Sequence, residues 1–184
     1  MPMRDPGHRP EEFSSFVGRM AEVSELRELL RVMRAVTLCG AGGIGKSRLA
    51  LRLLEAVAGE FPDGAWFVEL SDLRQPGNLV PLLAAVVGVD EEPGRPLIDT
   101  LAESFRHRRV LLVLDNCEHL IEACATLCQR LLASSPGLKV IATSREPLRV
   151  AAERVWPVPP LGLPPLGRAA DQPLNPPSST RTSG

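Results

Sequence analysis

Two rhythms of apolar residues alternate along this chain: short unbroken runs, and longer stretches in which apolar positions recur at helical spacing. "AVTLC" at 35–39 is apolar, partly β-branched and closed by Gly40, which predicts a buried strand. Before it, Val23, Leu26, Leu29, Leu30 and Met33 predict an amphipathic helix over 20–34. After it, "KSRLALRLLEAVAGEF" predicts a helix from Lys46, with Gly59 near its end and Pro62 beyond. A second strand is expected at 65–70. A helix at 78–89 follows, with Pro81 in its first turn, where a missing N–H costs little. "LIDTLAESFRHR" predicts a helix at 97–108, and "VLLVLD" at 110–115 is too continuously apolar for a half-exposed strand, so it is expected to be central and parallel. A helix at 118–137, a strand at 139–144 and a fifth, edge strand at 154–158 complete the series. Strands alternating with helices of this length imply βαβ units: an α/β fold with a mainly parallel sheet of about five strands.

Length and composition narrow this picture. With 184 residues and 44% hydrophobic content the chain can bury one sizeable core. The expected domain covers 14–160, between a polar, proline-punctuated leader at 1–13 and a disordered tail at 161–184, where proline, serine and glycine leave little to pack. A net charge of −1 argues against direct contact with DNA, since phosphate neutralisation needs clustered Lys and Arg. Neither a signal peptide nor a membrane span is visible, so no membrane partner and a cytoplasmic location are expected. Cys39, Cys117, Cys124 and Cys128 are expected to be reduced thiols, and with His119 they match no paired zinc-ligand spacing.

The seam between the first strand and its helix carries the chemistry. "GAGGIGKSR" places Gly40, Gly45, Lys46 and Ser47 in the pattern G-x-x-x-x-G-K-[ST], in the strand-then-helix context that this motif needs. Successive backbone N–H groups of such a loop form an anion-binding concavity, and the helix adds the positive end of its dipole. The candidate nucleotide-binding stretch is therefore Gly40, Ala41, Gly42, Gly43, Ile44, Gly45, Lys46, Ser47 and Arg48. Lys46 is expected to reach the outer phosphates and Ser47 to ligate Mg²⁺. A glycine-rich turn with an incidental lysine is the bland alternative.

Asp115 ends the central strand, where ligands sit in open α/β sheets, and is the candidate Walker B carboxylate and second metal ligand. The next residue is Asn116, and an amide can position water without accepting its proton, so hydrolysis should be slow. Glu118 is a candidate substitute base. Arg145, after the strand "KVIATS", is the candidate γ-phosphate sensor, with an ordinary surface arginine as the alternative. The "RHRR" cluster at 106–109 reads as a solvated helix end, and Leu127, Leu131 and Leu132 as core.

Taken in order, "FVGR", "GAGGIGKSR", "LLVLDNCEHL" and "VIATSRE" resemble the nucleotide-binding core of STAND ATPases, most closely the NB-ARC-related modules of bacterial transcriptional regulators of the SARP and LuxR-associated type. The resemblance covers about residues 14–160. It implies a P-loop NTPase three-layer α/β/α sandwich, with the sensor strand between the Walker A and Walker B strands. It also implies that Val17, Gly18 and Arg19 lie on the adenine side of ATP or ADP, although "FVGR" alone reads as a loop before a helix. The lid and winged helix that follow in such proteins find no counterpart in the proline-rich tail, so a natural fragment, a truncated gene product or a shifted reading frame is expected.

The function expected is an ATP- or ADP-binding regulatory module with slow or no hydrolysis, a weak ATPase at most, associating with further copies of itself or with a full-length regulator. A non-catalytic remnant acting through protein–protein contacts is the alternative, and a metabolic kinase would need a substrate-binding insert that the sequence lacks. The edge strand is further expected to expose apolar surface, Trp156 included, and to favour self-association.

Overall fold

Every position of "VLLVLD" is buried, as expected of a strand covered on both faces. In the computed structural model, which describes residues 19–151 and 153–160, this strand lies inside a five-stranded sheet in the order β2-β3-β4-β1-β5. The strands are β1 (Ala35–Cys39), β2 (Ala65–Glu69), β3 (Val110–Asp115), β4 (Leu138–Ser144) and β5 (Glu153–Pro157), and all neighbours pair in parallel. The helices are α1 (Met20–Val32), α2 (Lys46–Val57), α3 (Leu79–Val87), α4 (Leu97–Phe105) and α5 (Ile121–Ser134).

Strand alternation divides the core into two layers. Val36, Leu38, Leu111, Val113 and Ile141 face α1 and α2, where they meet Leu26, Leu49 and Leu53. Ala35, Leu112, Leu114, Val140 and Ala142 face the other way, onto Leu83, Leu101, Phe105 and Leu127 of α3, α4 and α5. The result is the three-layer α/β/α sandwich of a P-loop NTPase, with β4 between β1 and β3.

Element boundaries differ from expectation where tertiary contacts intervene. Met33 turns extended and ends α1 at Val32. The Gly88 N–H bonds Ala84 O in a left-handed C-cap that closes α3. The helix expected at 118–137 is broken at its start: Asn116 is left-handed (φ 65°), a 3-10 turn spans Cys117–His119, and Leu120 leaves helical geometry before α5 begins. At the other end of α5, Arg34 donates to the carbonyls of Leu132 and Ser135 at 2.7 and 2.6 Å, satisfying oxygens that the helix itself leaves over. The Lys139 ammonium does the same for Leu30 and Arg31 at the end of α1.

The expectation for Trp156 is overturned. β5 is an edge strand, yet Trp156 is only 8% exposed: it packs in the α1–α2 layer, and its indole N–H donates to Glu25 of α1 at 3.0 Å. α1 covers the ring, so the apolar surface proposed to drive self-association is absent there. The large apolar side chains exposed among the described residues are instead Met20, Val32 and Val86, which are scattered. Cys117, Cys124 and Cys128 are buried free thiols in the α3–α5 layer.

One tight approach gives a test of the packing. A Cβ added to Gly137 would sit 2.3 Å from the backbone carbonyl oxygen of Arg108, at the turn that leads α5 into β4 beside β3. Backbone cannot yield as a side chain does, so Gly137→Ala should destabilise the fold by about 1–3 kcal/mol, the usual cost of overpacking. Urea unfolding of the two proteins measures this directly, and an unchanged midpoint would contradict the packing described.

Candidate functional site

The loop between β1 and α2 is built by glycine conformations that other residues resist. Gly43 and Gly45 have φ of 77° and 92°, the latter as the left-handed residue that starts α2. The chain leaves β1 through Gly40, whose N–H still bonds Ser144 O of β4, and re-enters a helix when Leu49 N–H reaches Gly45 O at 3.0 Å. Ala41, Gly42 and Gly43 are exposed, so the loop opens outward, and the first N–H groups of α2, at Lys46 and Ser47, have no intrahelical acceptor.

Lys46 is buried, and its ammonium donates to the carbonyls of Gly40 and Ala41 at 2.9 and 3.1 Å. The side chain thus folds over the loop that its own backbone ends, and its charge is held within that loop. Ser47 and Arg48 are exposed beside it.

Asp115 stands across from the loop, at the carboxyl end of β3, and is buried. Burial raises its pKa above the usual carboxylate range; hydrogen bonds from the Thr143 and Ser47 hydroxyls pull it back down, and the neighbouring charges of Glu69 and Glu118 push it up again. Thr143 Oγ1 donates to Asp115 Oδ1 at 2.5 Å and accepts from the Asn116 N–H at 2.9 Å. A desolvated carboxylate next to a serine hydroxyl, with two further carboxylates close by, is a donor set that fits a hard divalent cation. Among the described residues no three His, Cys, Asp or Glu side chains form a closed cage. That suits Mg²⁺, which is commonly held by one or two protein ligands together with substrate phosphates.

Arg145 reaches from the end of β4 towards the loop: a Cβ on Gly42 would lie 3.3 Å from one of its terminal guanidinium nitrogens. Its Nε pairs with Glu118 Oε1 at 3.3 Å. Glu118, the candidate substitute base, is thus engaged by the arginine. Its other oxygen, Oε2, is buried with no hydrogen-bond partner among the described residues.

Arg19 is buried, and one guanidinium nitrogen donates at 3.0 Å to both Ile44 O of the loop and Pro159 O beyond β5. It braces the loop. Val17 and Gly18 lie outside the described residues. The structure thus brings Lys46, Ser47, Asp115, Asn116 and Arg145 to one end of the sheet, with Arg19 behind the loop. Thr143 was missed by sequence reasoning, as was the partnership of Glu118 with Arg145. The signal for Thr143 was present: a hydroxyl residue near the end of a core strand, next to the strand that ends in Asp115.

Residues 31–149 match the AAA domain family. A protein of Mycobacterium tuberculosis named as an HTH-type transcriptional regulator is 46% identical over 138 residues, which is 75% of this chain and 15% of that protein. The regulatory protein AfsR of Streptomyces griseus is 29% identical over 153 residues, covering 76% of this chain and 15% of AfsR. The chain thus spans about 15% of the length of these curated relatives. Among solved structures, Cdc6p from Pyrobaculum aerophilum superposes with a TM-score of 0.58 at 16% identity, over 75% of this chain and 42% of that one. A Signal Transduction ATPase with Numerous Domains (STAND) protein with a tetratricopeptide repeat sensor from Pyrococcus horikoshii gives 0.52 at 19% identity, over 78% of this chain and 23% of that one. At these identities the structural likenesses establish the shared fold alone.

The electrostatics of Asp115 make a prediction. Its raised pKa means that the folded chain holds the proton to higher pH than the unfolded chain does. From about 3.9, the unfolded value, up to the folded value, this residue's contribution to stability declines as pH rises. Asp115→Asn removes the buried charge and keeps an acceptor for Thr143. It should melt above wild type at pH 7, with the advantage shrinking as pH falls through the carboxylate range. Melting curves without nucleotide or metal check this, and a variant less stable than wild type at pH 7 would overturn the assignment of a destabilising charge.

Proposed function

The chain belongs to the AAA domain family, and on that premise we propose that it binds ATP or ADP with Mg²⁺ as a regulatory module of the STAND, NB-ARC-like type, whose output is nucleotide occupancy and not rapid turnover. The observation that carries this reading is the convergence of Asp115, Ser47 and Arg145 on a glycine-built loop whose lysine is already gathered over it.

In this reading the loop N–H groups and the start of α2 hold the phosphates, and Lys46 exchanges its contacts with Gly40 and Ala41 for the outer phosphate oxygens. Both arrangements keep the ammonium paired, so the exchange leaves no buried charge uncompensated. Ser47 and Asp115 hold Mg²⁺, which when bound neutralises phosphate charge. Arg145, within reach of Gly42, meets the terminal phosphate and in doing so gives up some of its attraction to Glu118. Arg19 fixes the loop from behind, while Val17 and Gly18 remain candidates for the adenine side.

Slow hydrolysis follows from what surrounds Asp115. The position after it is an amide that cannot take a proton, and Glu118 Oε1 is paired with the Arg145 guanidinium at 3.3 Å. The family match together with the regulator names of the relatives supports a role in transcriptional regulation. A signal-responsive role in the cytoplasm, with other copies of this chain or a longer regulator as partners, belongs to the same proposal, and the net charge of −1 supports the absence of DNA contact by this chain. No helix among the described residues is long and apolar enough to cross a membrane.

Thermal stabilisation by Mg·ATP and Mg·ADP, measured beside Lys46→Ala, tests the proposal. A ligand at about 100 times its Kd adds roughly 2.7 kcal/mol of stability, which is a few degrees of melting temperature. Wild type should shift with either nucleotide and Lys46→Ala should not. A cooperative melt unmoved by both nucleotides would instead favour the non-catalytic remnant acting through protein contacts.

A further inference from the structure

Thr143 is 1% exposed, on a strand whose neighbouring residues Ile141 and Ala142 are apolar. Packing alone would favour valine at such a place, because a buried hydroxyl is costly unless its hydrogen bonds are made. Here both are made, and both go to the residues that end β3. The hydroxyl has one proton, which goes to Asp115 Oδ1 at 2.5 Å. A lone pair then accepts the Asn116 N–H at 2.9 Å, just where that residue enters its left-handed turn (φ 65°). With the donor and an acceptor both committed, and a β-branched side chain that is stiff at χ1, the oxygen is a fixed point between the carboxylate and the backbone that follows it.

We infer that Thr143 is a positioning residue for the metal side of the site: by holding Asp115 Oδ1 and the Asn116 N–H at once, it orients the carboxylate so that nucleotide with Mg²⁺ is bound more tightly than nucleotide alone. The inference rests on the nucleotide-binding reading above and adds to it a residue that acts through Asp115. The lysine contacts of the loop do not involve this bridge: Lys46 reaches Gly40 and Ala41 without Thr143, while Ser47 is the loop residue whose hydroxyl meets Asp115. The two halves of the site therefore respond differently to its loss. Removing the hydroxyl frees the carboxylate to turn and leaves the Asn116 N–H without its acceptor, while the phosphate loop keeps its shape.

The experiment measures ATP affinity of the full chain by calorimetry, once with Mg²⁺ and once with EDTA, for wild type, Thr143→Val and Thr143→Ser. Thr143→Val should lose about tenfold in the Mg²⁺ arm, which is the lower end of what a hydrogen bond to a charged group is worth, and stay close to wild type in the EDTA arm. Thr143→Ser, which keeps the donor, should restore most of the Mg²⁺ dependence. In an Asp115→Asn background Thr143→Val should have little further effect on that dependence, because the group it positions has already been changed. If Thr143→Val does not melt cooperatively, Thr143→Cys, whose thiol is a weaker donor, carries the same comparison.

Equal losses in both arms would mark Thr143 as merely structural and overturn the inference while the nucleotide reading stands. Unchanged affinity in both arms would also overturn it. A wild-type chain that binds no ATP in either arm would overturn the nucleotide reading and this inference together.

Discussion

The site depends above all on β4 pairing in parallel with β1 on one side and β3 on the other. Thr37 lies opposite Ala142 and Leu38 opposite Thr143, while Leu114 lies opposite Ala142 across the other ladder. That double register brings the ends of three strands level, so the glycine loop after β1, Asp115 at the end of β3, and Thr143 and Arg145 at the end of β4 all emerge on one rim. A slip of one residue in β4 would turn its side chains to the opposite faces of the sheet and separate the Thr143 hydroxyl from Asp115. Fixing the register is left to the core on both faces: Val140 and Ala142 fit one layer, and Ile141 fits the other.

Once the rim is set, its chemistry is a set of charges held in places that cost free energy to fill. Asp115 is buried close to Glu69 and Glu118, and the hydroxyls of Thr143 and Ser47 offset only part of that cost. Glu118 has one oxygen paired with Arg145 and the other buried without a hydrogen-bond partner among the described residues. Lys46 donates to the Gly40 and Ala41 carbonyls of its own loop. Such perturbed charges gathered at one place are the usual mark of a binding rim.

Much of the architecture was legible in the sequence, and for a physical reason: parallel strands buried on both faces write themselves as unbroken apolar runs. β3 was read to its exact residues from "VLLVLD", and the loop from its glycines and lysine. The break before α5 was not legible, since "NCEHL" has the composition of a helix start and its left-handed Asn116 is set by a bond to Thr143, a residue 27 positions away. The burial of Trp156 was hidden for the same reason, because its cover comes from α1 near the other end of the described chain, with Glu25 meeting the indole. The pairing of Arg145 with Glu118 likewise joins two elements whose proximity only the sheet order determines. Local pattern gave the elements, while contacts made across the sheet decided how the polar groups on its rim were shared out.

One guanidinium nitrogen of Arg19 touches both Ile44 O in the glycine loop and Pro159 O in the chain that leaves β5. The two carbonyls belong to segments more than a hundred positions apart, and a single buried donor ties them like a shared rivet. The position of Ile44 in the loop and that of Pro159 after β5 are thus referred to one side chain, and a substitution at Arg19 acts on both segments at once.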